Sequence, residues 1–200
     1  SISSNSIFSI CEDSFGDLWF GSIAAGLNLF DRENNSFIRF TNKQDDKSSL
    51  GSNAVWCIVE DLNKNLWIGT WGGGVNKYLR NKNSFIRYTV DDGLSGNIVY
   101  SIIPDDQNNL WIGTNKGLVK FNTSAISFTS FDKSNGLMIS DFSAGATFKS
   151  TGGMFYFGGN SGIISFDPKK IVENSFIPKV VITDFKVFDT SVEPGENSPL

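Results

Sequence analysis

Trp71 is the residue of this sequence whose type and setting point most directly to ligand binding. It lies in the stretch NLWIGTWGGGVNKY, residues 65–78. The flat face of an indole can stack on the apolar side of a sugar ring, and the N–H groups of Gly72 and Gly73 can hydrogen-bond hydroxyls. The stretch is a candidate ligand loop, unless the chain repeats it and most of its residues serve the fold.

The composition restricts the catalytic chemistry that is open to this chain. It contains no histidine, which excludes imidazole metal ligands, Ser/His and Cys/His pairs and the commonest general base. Hydrolysis by two carboxylates stays open, because a glycosidase needs only Asp or Glu, although no isolated acidic pair stands out. We predict no catalytic residue, no metal site and no cofactor in this segment.

Three acidic segments, EDSFGD, EDLNKN and PDDQNN, could be mistaken for calcium loops. They lack the D-x-[DN]-x-[DN]-G spacing and the distant Glu of such loops. Asp and Asn are ordinary turn formers, because their side chains bond nearby backbone groups. We therefore interpret these segments as turns.

The sequence repeats a short aromatic motif. LWFG at 18–21, LWIG at 66–69 and at 110–113, and the weaker FYFG at 155–158 recur every 44 to 48 residues. Each unit contains four short runs rich in Ile, Val, Phe, Trp and Tyr, separated by Gly, Asn and Asp, which is typical of strands and turns. The fourth unit lacks a clean fourth run.

A period of this length with four strands a unit predicts an all-β fold of β-propeller blades. We expect four four-stranded antiparallel repeats, as part of a larger propeller, at about 5–52, 53–96, 97–140 and 141–176. A β-sandwich is the alternative, since its strands have similar spacing but need no period of this kind. Residues 177–200 are expected to be a linker and the first strands of a β-sandwich.

The overall composition is that of a folded domain with no affinity for polyanions. Hydrophobic residues make up 40% of the chain, and the net charge is −4. Nucleic acid and anionic membranes are therefore not expected as partners. We find no signal peptide and no apolar run of membrane-spanning length, and we expect the chain to be a piece of a longer protein. Cys11 and Cys57 fall on neighbouring first strands, as buried thiols or, in an oxidising compartment, a disulfide.

The repeat D-x-x-x-x-LWIGT-x-x-GL-x-x-F, with links such as DDGLSGNIVYSI, resembles the two-component regulator propeller repeat. The tail IPKVVITDFKVFDTSVEPG, from Ile177, resembles the start of the three-Tyr β-sandwich domain that follows such propellers. The resemblance implies the periplasmic part of an inner-membrane hybrid two-component histidine kinase of Bacteroides type. It further implies a sensor that detects glycan-derived oligosaccharides and controls polysaccharide-utilisation genes.

Most of the opening stretch now has a structural explanation. Trp67, Gly69 and Gly74 have counterparts in the other repeats, which favours packing and turn geometry over ligand contact. Trp71 aligns with Ile23 and Asn115, so the repeat does not require an aromatic residue there. Covering a neighbouring blade or a protein contact is the alternative role for Trp71.

In an up-and-down blade, the turn between strands two and three shares a face of the disc with the links between blades. This face should bring the 2–3 turns near the links 42–53 and 91–97. The candidate ligand-binding residues on it are Trp71, Gly72, Gly73, Asn97, Asn115 and Lys116, with Asn160 and Ser161 in the fourth repeat.

Two other functions compete with a sensor. Propeller lyases have a similar repeat but use histidine as a base, which this chain lacks, and a protein-interaction scaffold of the WD or kelch kind is not excluded by composition. The family builds its rings from more than four blades, so the end blades should expose apolar faces. We therefore expect self-association through the terminal blades, unless four blades close a compact ring.

Overall fold

Each recurring apolar run forms a β-strand in the computed structural model, which describes residues 1–139, 142–171, 186–187 and 190–191. Blade 1 consists of β1 (Ile7–Glu12), β2 (Leu18–Ser22), β3 (Leu27–Asp31) and β4 (Ser36–Phe40). Blade 2 consists of β5 (Val55–Glu60), β6 (Leu66–Thr70), β7 (Val75–Leu79) and β8 (Ser84–Tyr88). Blade 3 consists of β9 (Val99–Pro104), β10 (Asn109–Thr114), β11 (Gly117–Asn122) and β12 (Ser127–Phe131). Blade 4 consists of β13 (Phe142–Lys149), β14 (Phe155–Gly159) and β15 (Gly162–Phe166).

Each blade is an antiparallel sheet whose strands follow one another in chain order. Blades 1 to 3 have the four strands that the repeat predicts, whereas blade 4 has three strands within the described residues. Residues 172–176, the end of the predicted fourth repeat, lie outside that part of the chain. Short 3₁₀ helices lie between β7 and β8 at Arg80–Lys82, in the links after blades 2 and 3 at Val90–Asp92 and Lys133–Asn135, and after β15 at Pro168–Lys170. The prediction of an all-β propeller architecture is confirmed.

The first strand of each blade is the innermost one. Strand β1 packs against β5, β5 against β9, and β9 against β13, and every substantial contact between blades includes one of these four strands. A glycine makes the approach possible, because a methyl group on Gly69 would lie 2.3 Å from Cys57 Sγ and 2.6 Å from Val99 Cγ1 of the next blade. The recurring glycine of the LWIG motif therefore sets the distance between blades.

The acidic turns hold the recurring tryptophans, which confirms their interpretation as turns. Asp61 accepts hydrogen bonds from the N–H groups of Asn63 and Asn65, both at 2.9 Å. Its second oxygen accepts the indole N–H of Trp67 at 2.7 Å, so this buried ring has its polar atom satisfied. Blades 1 and 3 repeat the arrangement with Asp13–Trp19 and Asp105–Trp111.

The core lies between blades rather than within a single one. We call the side of a blade that faces the preceding blade its leading face, and the other side its trailing face. One cluster packs Trp19 of blade 1 against Ile58, Ile68 and Tyr78 of blade 2. A second cluster packs Trp67 of blade 2 against residues of blade 3, including Phe121. Each junction therefore joins a trailing face that carries a tryptophan to an apolar leading face.

Both cysteines are free, Cys57 buried and Cys11 half-buried. Burial raises the pKa of the Cys57 thiol to about 12. Burial, with the charges of Asp13 and Glu60, raises that of Cys11 to about 11. Neither thiol is therefore activated as a nucleophile.

The chain divides into two units, Ser1–Lys170 and Ile171–Leu200. In the second unit, strands β16 (Lys186–Val187) and β17 (Thr190–Ser191) form an antiparallel pair. The predicted blade boundary at 176 and most of the predicted sandwich segment lie outside the described residues and stay predictions. Within the described part of the chain, no helix has the length and apolar character needed to cross a membrane.

Candidate functional site

The turns between strands two and three meet the links between blades, as the sequence predicts. In blade 2, the N–H of Trp71 donates to the carbonyl of Ala54 at 2.9 Å. The N–H groups of Gly72 and Gly74 both donate to the carbonyl of Asn97 at 3.0 Å, in the next link. Trp71, Gly72 and Asn97 therefore come together on one face of the blades.

The backbone at Trp71 is fixed in the same way in three blades. The N–H of Ile23 donates to Ser6, and the N–H of Asn115 donates to Ile98, which matches the bond from Trp71 to Ala54. The side chains at this position differ, and Trp71 and Ile23 remain 46% and 43% exposed. The backbone thus fixes this position in blades 1, 2 and 3, while the side chain differs from blade to blade.

A shallow depression of about 500 Å³ lies between the Ile23 and Trp71 turns. Its lining is Ile23, Ala24, Asn42, Gly51, Ser52, Asn53, Ala54, Trp71 and Gly72. None of these side chains is charged or titratable, so the described lining of this depression offers no carboxylate, imidazole or amine as a general acid or base. Its amides, hydroxyl and backbone groups suit a polar, uncharged molecule.

The link 42–53 forms a rigid rim for this depression. The side-chain amide of Asn42 donates to the carbonyls of Leu50 and Gly51 at 2.8 and 3.1 Å. The N–H of Asn42 donates to Asn53 Oδ1 at 2.7 Å. Arg87 ties the middle of the link to β8 through the carbonyl of Ser49 at 2.8 Å. Such anchoring favours ligand binding, because a preformed rim loses little entropy when it is occupied.

Asp46 shapes the outer turn of the same link. The hydroxyl and N–H of Ser48 donate to its carboxylate at 2.6 and 2.9 Å. These hydrogen bonds hold the pKa of Asp46 below its usual value. The carboxylate therefore stays charged at neutral pH and serves the turn, since it is not part of the depression lining.

The other candidate residues divide between exposed and structural positions. Gly73 is buried. A methyl group there would lie 2.3 Å from the carbonyl carbon of Gly51, and this close approach explains why the position is a glycine. Asn97 is half-buried, and its side-chain oxygen accepts the N–H of Val90 at 2.9 Å, just as Asn53 holds Asn42. The opening Asn of a repeat therefore fastens the link, which sequence reasoning missed.

Asn115 and Lys116 are exposed in the corresponding turn of blade 3. The side-chain oxygen of Asn115 accepts the N–H of Ile98 at 3.4 Å, next to Asn97. They lie against Gly96 of the link 91–97 and do not line the depression. Asn160 and Ser161 lie in the exposed 2–3 turn of blade 4. A ligand role for any of these residues stays a prediction.

Three aromatic residues that were not predicted as site residues form a row next to Trp71, two of them in contact with its ring and the third one ring further away. Phe8, Trp56 and Tyr100 occupy the same position of the first strand in blades 1, 2 and 3, and we call them the aromatic row. Ring centroids are 6.2 Å apart for Phe8 and Trp56, and 5.3 Å apart for Trp56 and Tyr100. Trp71 lies 4.5 Å from Trp56 and 6.4 Å from Tyr100.

Each member of the row is the extra residue of a β-bulge. In β1, Ile7 pairs with Ser22 and Ser9 with Gly21, which leaves Phe8 unpaired. The pairings of β5 and β9 skip Trp56 and Tyr100 in the same way. The signal was available in the sequence, since Phe, Trp and Tyr stand second in IFSICE, VWCIVE and VYSIIP. Continuous apolar runs hid it, because they predict a strand but not where a bulge redirects a side chain.

Comparisons with known proteins agree with the repeat. A family model described as "Two component regulator propeller" matches residues 1–24, 49–72 and 93–116. Each match covers the first two strands of a blade and ends just after the Ile23, Trp71 or Asn115 position.

Two solved relatives are extracellular domains of hybrid two-component systems, BT3049 and BT4673, from B. thetaiotaomicron. BT3049 is 27% identical with a TM-score of 0.79, over 99% of this chain and 27% of that one. BT4673 is 26% identical with a TM-score of 0.72, over 84% of this chain and 24% of that one. The curated Histidine kinase P4 of Formosa agariphila is 36% identical over 81 residues, which is 40% of this chain and 6% of its own length. The chain thus spans about a quarter of the length of the two solved relatives and a much smaller part of the length of the curated one.

Proposed function

The chain carries two-component regulator propeller repeats, and we propose from this premise that it is a segment of the extracytoplasmic sensor of a hybrid two-component histidine kinase. In this proposal the segment binds oligosaccharides derived from glycans, and the parent protein is anchored in the inner membrane with this part in the periplasm. Its signalling modules would then control transcription of polysaccharide-utilisation genes. The segment itself would have no enzymatic activity.

The observation that carries the proposal is the fixed position shared by Ile23, Trp71 and Asn115. The same backbone hydrogen bond holds all three, while their side chains differ and Trp71 and Ile23 line one depression. Specificity is commonly built in this way, with variable loop side chains on a rigid scaffold. A half-exposed indole beside amides and a hydroxyl provides what a sugar needs, an apolar surface and several hydrogen-bond partners.

The relatives support the signalling part of the proposal. The solved ones are extracellular domains of hybrid two-component systems, and the curated one is a histidine kinase. A propeller enzyme is the weaker alternative, because the depression has no titratable side chain in its lining. A protein-interaction scaffold would leave the depression empty in the presence of any saccharide.

A thermal-shift screen of this chain against oligosaccharides of plant, animal and microbial glycans tests the proposal. A ligand at a hundred times its dissociation constant should stabilise the folded state by about 2.7 kcal/mol. The shift should be lost in Trp71→Ala and kept in Phe15→Ala, a matched aromatic truncation in the turn between β1 and β2, where Phe15 is 59% exposed. No shift with any saccharide, from a protein that melts cooperatively, would reject a ligand site in these blades.

A further inference from the structure

We propose that the aromatic row extends the Trp71 depression into one elongated site, and that its ligand is an uncharged oligosaccharide of several rings rather than a monosaccharide or an anionic glycan. This inference rests on the proposed function and gives it a substrate class. It is carried by three recurrent bulges, by the exposure of two rings and by the charge of the lining.

The bulges are the first step. A β-bulge bends its strand and redirects a side chain, and bulges are frequent beside functional sites. The bulge needs no aromatic residue, and yet blades 1, 2 and 3 place Phe8, Trp56 and Tyr100 there. Blade 4 has Ser143 at this position and a longer irregularity in β13, so the row ends at Tyr100.

Exposure is the second step. Phe8 is 49% exposed and Trp71 is 46% exposed, and both rings contact Trp56, which is half-buried between its neighbours. Phe8 lies on blade 1, whose leading face has no described neighbour, whereas Trp71 lies on blade 2 and is exposed although the blades on both sides of it are present. Two exposed rings joined by a third offer two stacking surfaces, and one sugar ring can cover only one of them.

Charge is the third step. The depression and the aromatic row contain no charged side chain among their residues, and Lys116, the charged member of the candidate residues, does not line the depression. The charged residues of the nearby links lie elsewhere, since Lys43 lines a different depression and Asp91 and Asp92 line a third one. The face of an aromatic ring is electron-rich and attracts C–H groups rather than carboxylate or sulfate groups. The site therefore favours neutral sugars.

The test is isothermal titration of the chain with a neutral oligosaccharide series, from the monosaccharide to the hexasaccharide, of the glycan that gives the largest thermal shift. Matched uronic acid or sulfated oligosaccharides form the second arm. Affinity should rise about tenfold when the ligand becomes long enough to reach Phe8, which is the gain of one good aromatic contact. Phe8→Ala should remove this gain and leave the shortest ligands unaffected, whereas Trp71→Ala should weaken every length.

Phe15→Ala is the control for aromatic truncation, and melting curves of each variant check that it folds. Phe8→Ala should melt normally, because the ring is half-exposed. Affinity independent of length, an unchanged length dependence in Phe8→Ala, or tighter binding of the anionic series would each overturn the elongated neutral site while leaving a saccharide sensor intact. Binding of no saccharide would reject the proposed function itself, and this inference with it.

Discussion

The leading face of blade 1 and the leading faces of blades 2 and 3 are built from the same repeat positions and meet different surroundings. Ile10, Ile58 and Ile102 are counterparts in the first strand, and they are 65%, 6% and 3% exposed. In the second strand, Ile68 and Ile112 are fully buried, whereas their counterpart Phe20 is only partly buried. The preceding blade covers the inner faces, and no described residue covers this face of blade 1 to the same extent.

The leading face of blade 1 is apolar although no described blade covers it. The repeat therefore specifies an apolar leading face whether or not a preceding blade is present. Phe37 still packs against Phe30 and Phe20 on blade 1, with ring centroids 5.1 and 5.7 Å apart. At the inner junctions, the trailing face of the preceding blade covers an apolar leading face of this kind. The stability of the chain should therefore depend on its junctions, and the open face should contribute little.

Truncation of matched isoleucines is the largest test of this comparison. Ile58→Ala leaves a cavity at the junction of blades 1 and 2 and should lower the free energy of unfolding by about 2–5 kcal/mol. Ile10→Ala at the same repeat position should change it by less than about 0.5 kcal/mol, because most of the side chain is in water. Urea denaturation of both variants, at a concentration where the chain is monomeric, measures the difference.

Ile102→Ala is the control, and it should match Ile58→Ala. If Ile10→Ala destabilised the chain as much as the inner variants, the leading face of blade 1 would be covered in solution. The comparison between open and closed faces would then fail.

Arg80 distinguishes the first junction from the second. It extends from blade 2 to the carboxylates of Asp13 and Asp17 of blade 1, and its guanidinium lies 4.3 Å from the ring centroid of Phe15. At the next junction its counterpart is Thr123, which has no charge. Arg80→Ala should lower the free energy of unfolding by about 1–3 kcal/mol, because the buried carboxylate of Asp13 loses a partner. Arg32→Ala, at the matching exposed position of blade 1, should cost less than about 1 kcal/mol.

The effect of Arg80 should also depend on pH. Burial raises the pKa of Asp13, but hydrogen bonds from Trp19, Arg80 and the turn N–H groups outweigh burial and lower it below its ordinary value. A lowered pKa stabilises the folded state above the unfolded pKa of about 3.9, and this contribution is lost as the pH falls through the folded value. The gap between wild type and Arg80→Ala should therefore narrow below about pH 4. A gap that stayed constant would mean that packing, and not charge, gives Arg80 its effect.

The sequence predicted the blades well because each one carries its own signals. The LW motif, the acidic turn and the glycines recur. Gly74 has a positive φ, and Gly69 lies in close approach to the next blade, as their recurrence indicates. The surroundings of the candidate site were predicted only in part. Trp71 was visible as a departure from the repeat, but the aromatic row was part of the repeat and therefore looked structural. Bulges are a property of strand pairing, which one strand's sequence does not show.

Self-association tests the open face directly. We expect two copies to associate through the leading face of blade 1 and the trailing face of blade 4 of the other copy, where Phe148 and Ile163 are 63% and 73% exposed. Trailing-to-leading packing is the geometry of the inner junctions, and such a contact is heterologous. Ile10→Lys should weaken association at least about tenfold, equivalent to 1.4 kcal/mol, in sedimentation velocity experiments over a range of concentrations.

Ile126→Lys is the control for the added charge, since Ile126 is 58% exposed in the turn between β11 and β12. It should leave association unchanged. A wild-type chain that stays monomeric at high concentration would show that an open face of this size does not bind a second copy.

The smallest effect concerns the turn contacts that differ from one junction to the next. Two positions can be compared at each junction: the residue after the buried turn Asp of one blade, and the last residue of the first strand of the next blade. They are Ser14 and Glu60 at the first junction, Leu62 and Pro104 at the second, and Asp106 and Lys149 at the third. The Ser14 hydroxyl donates to Glu60 at 3.0 Å, and Lys149 Nζ donates to Asp106 at 2.8 Å. The two residues are therefore hydrogen-bonded at the first junction, both apolar at the second and oppositely charged at the third.

Hydrogen bonds from Lys149 and Lys169, followed by their charges, lower the pKa of Asp106 to about 2. In Lys149→Ala this pKa should rise toward the ordinary value of about 3.9, measured by NMR titration of the Asp106 carboxyl. Because a lowered pKa stabilises the folded state only above that value, any contribution is lost as the pH falls through about 2. Thermal unfolding at neutral pH should hardly change, because the pair is exposed to solvent and screened. An Asp106 that already titrates normally in the wild type would mean that the contact between Lys149 and Asp106 does not persist in solution.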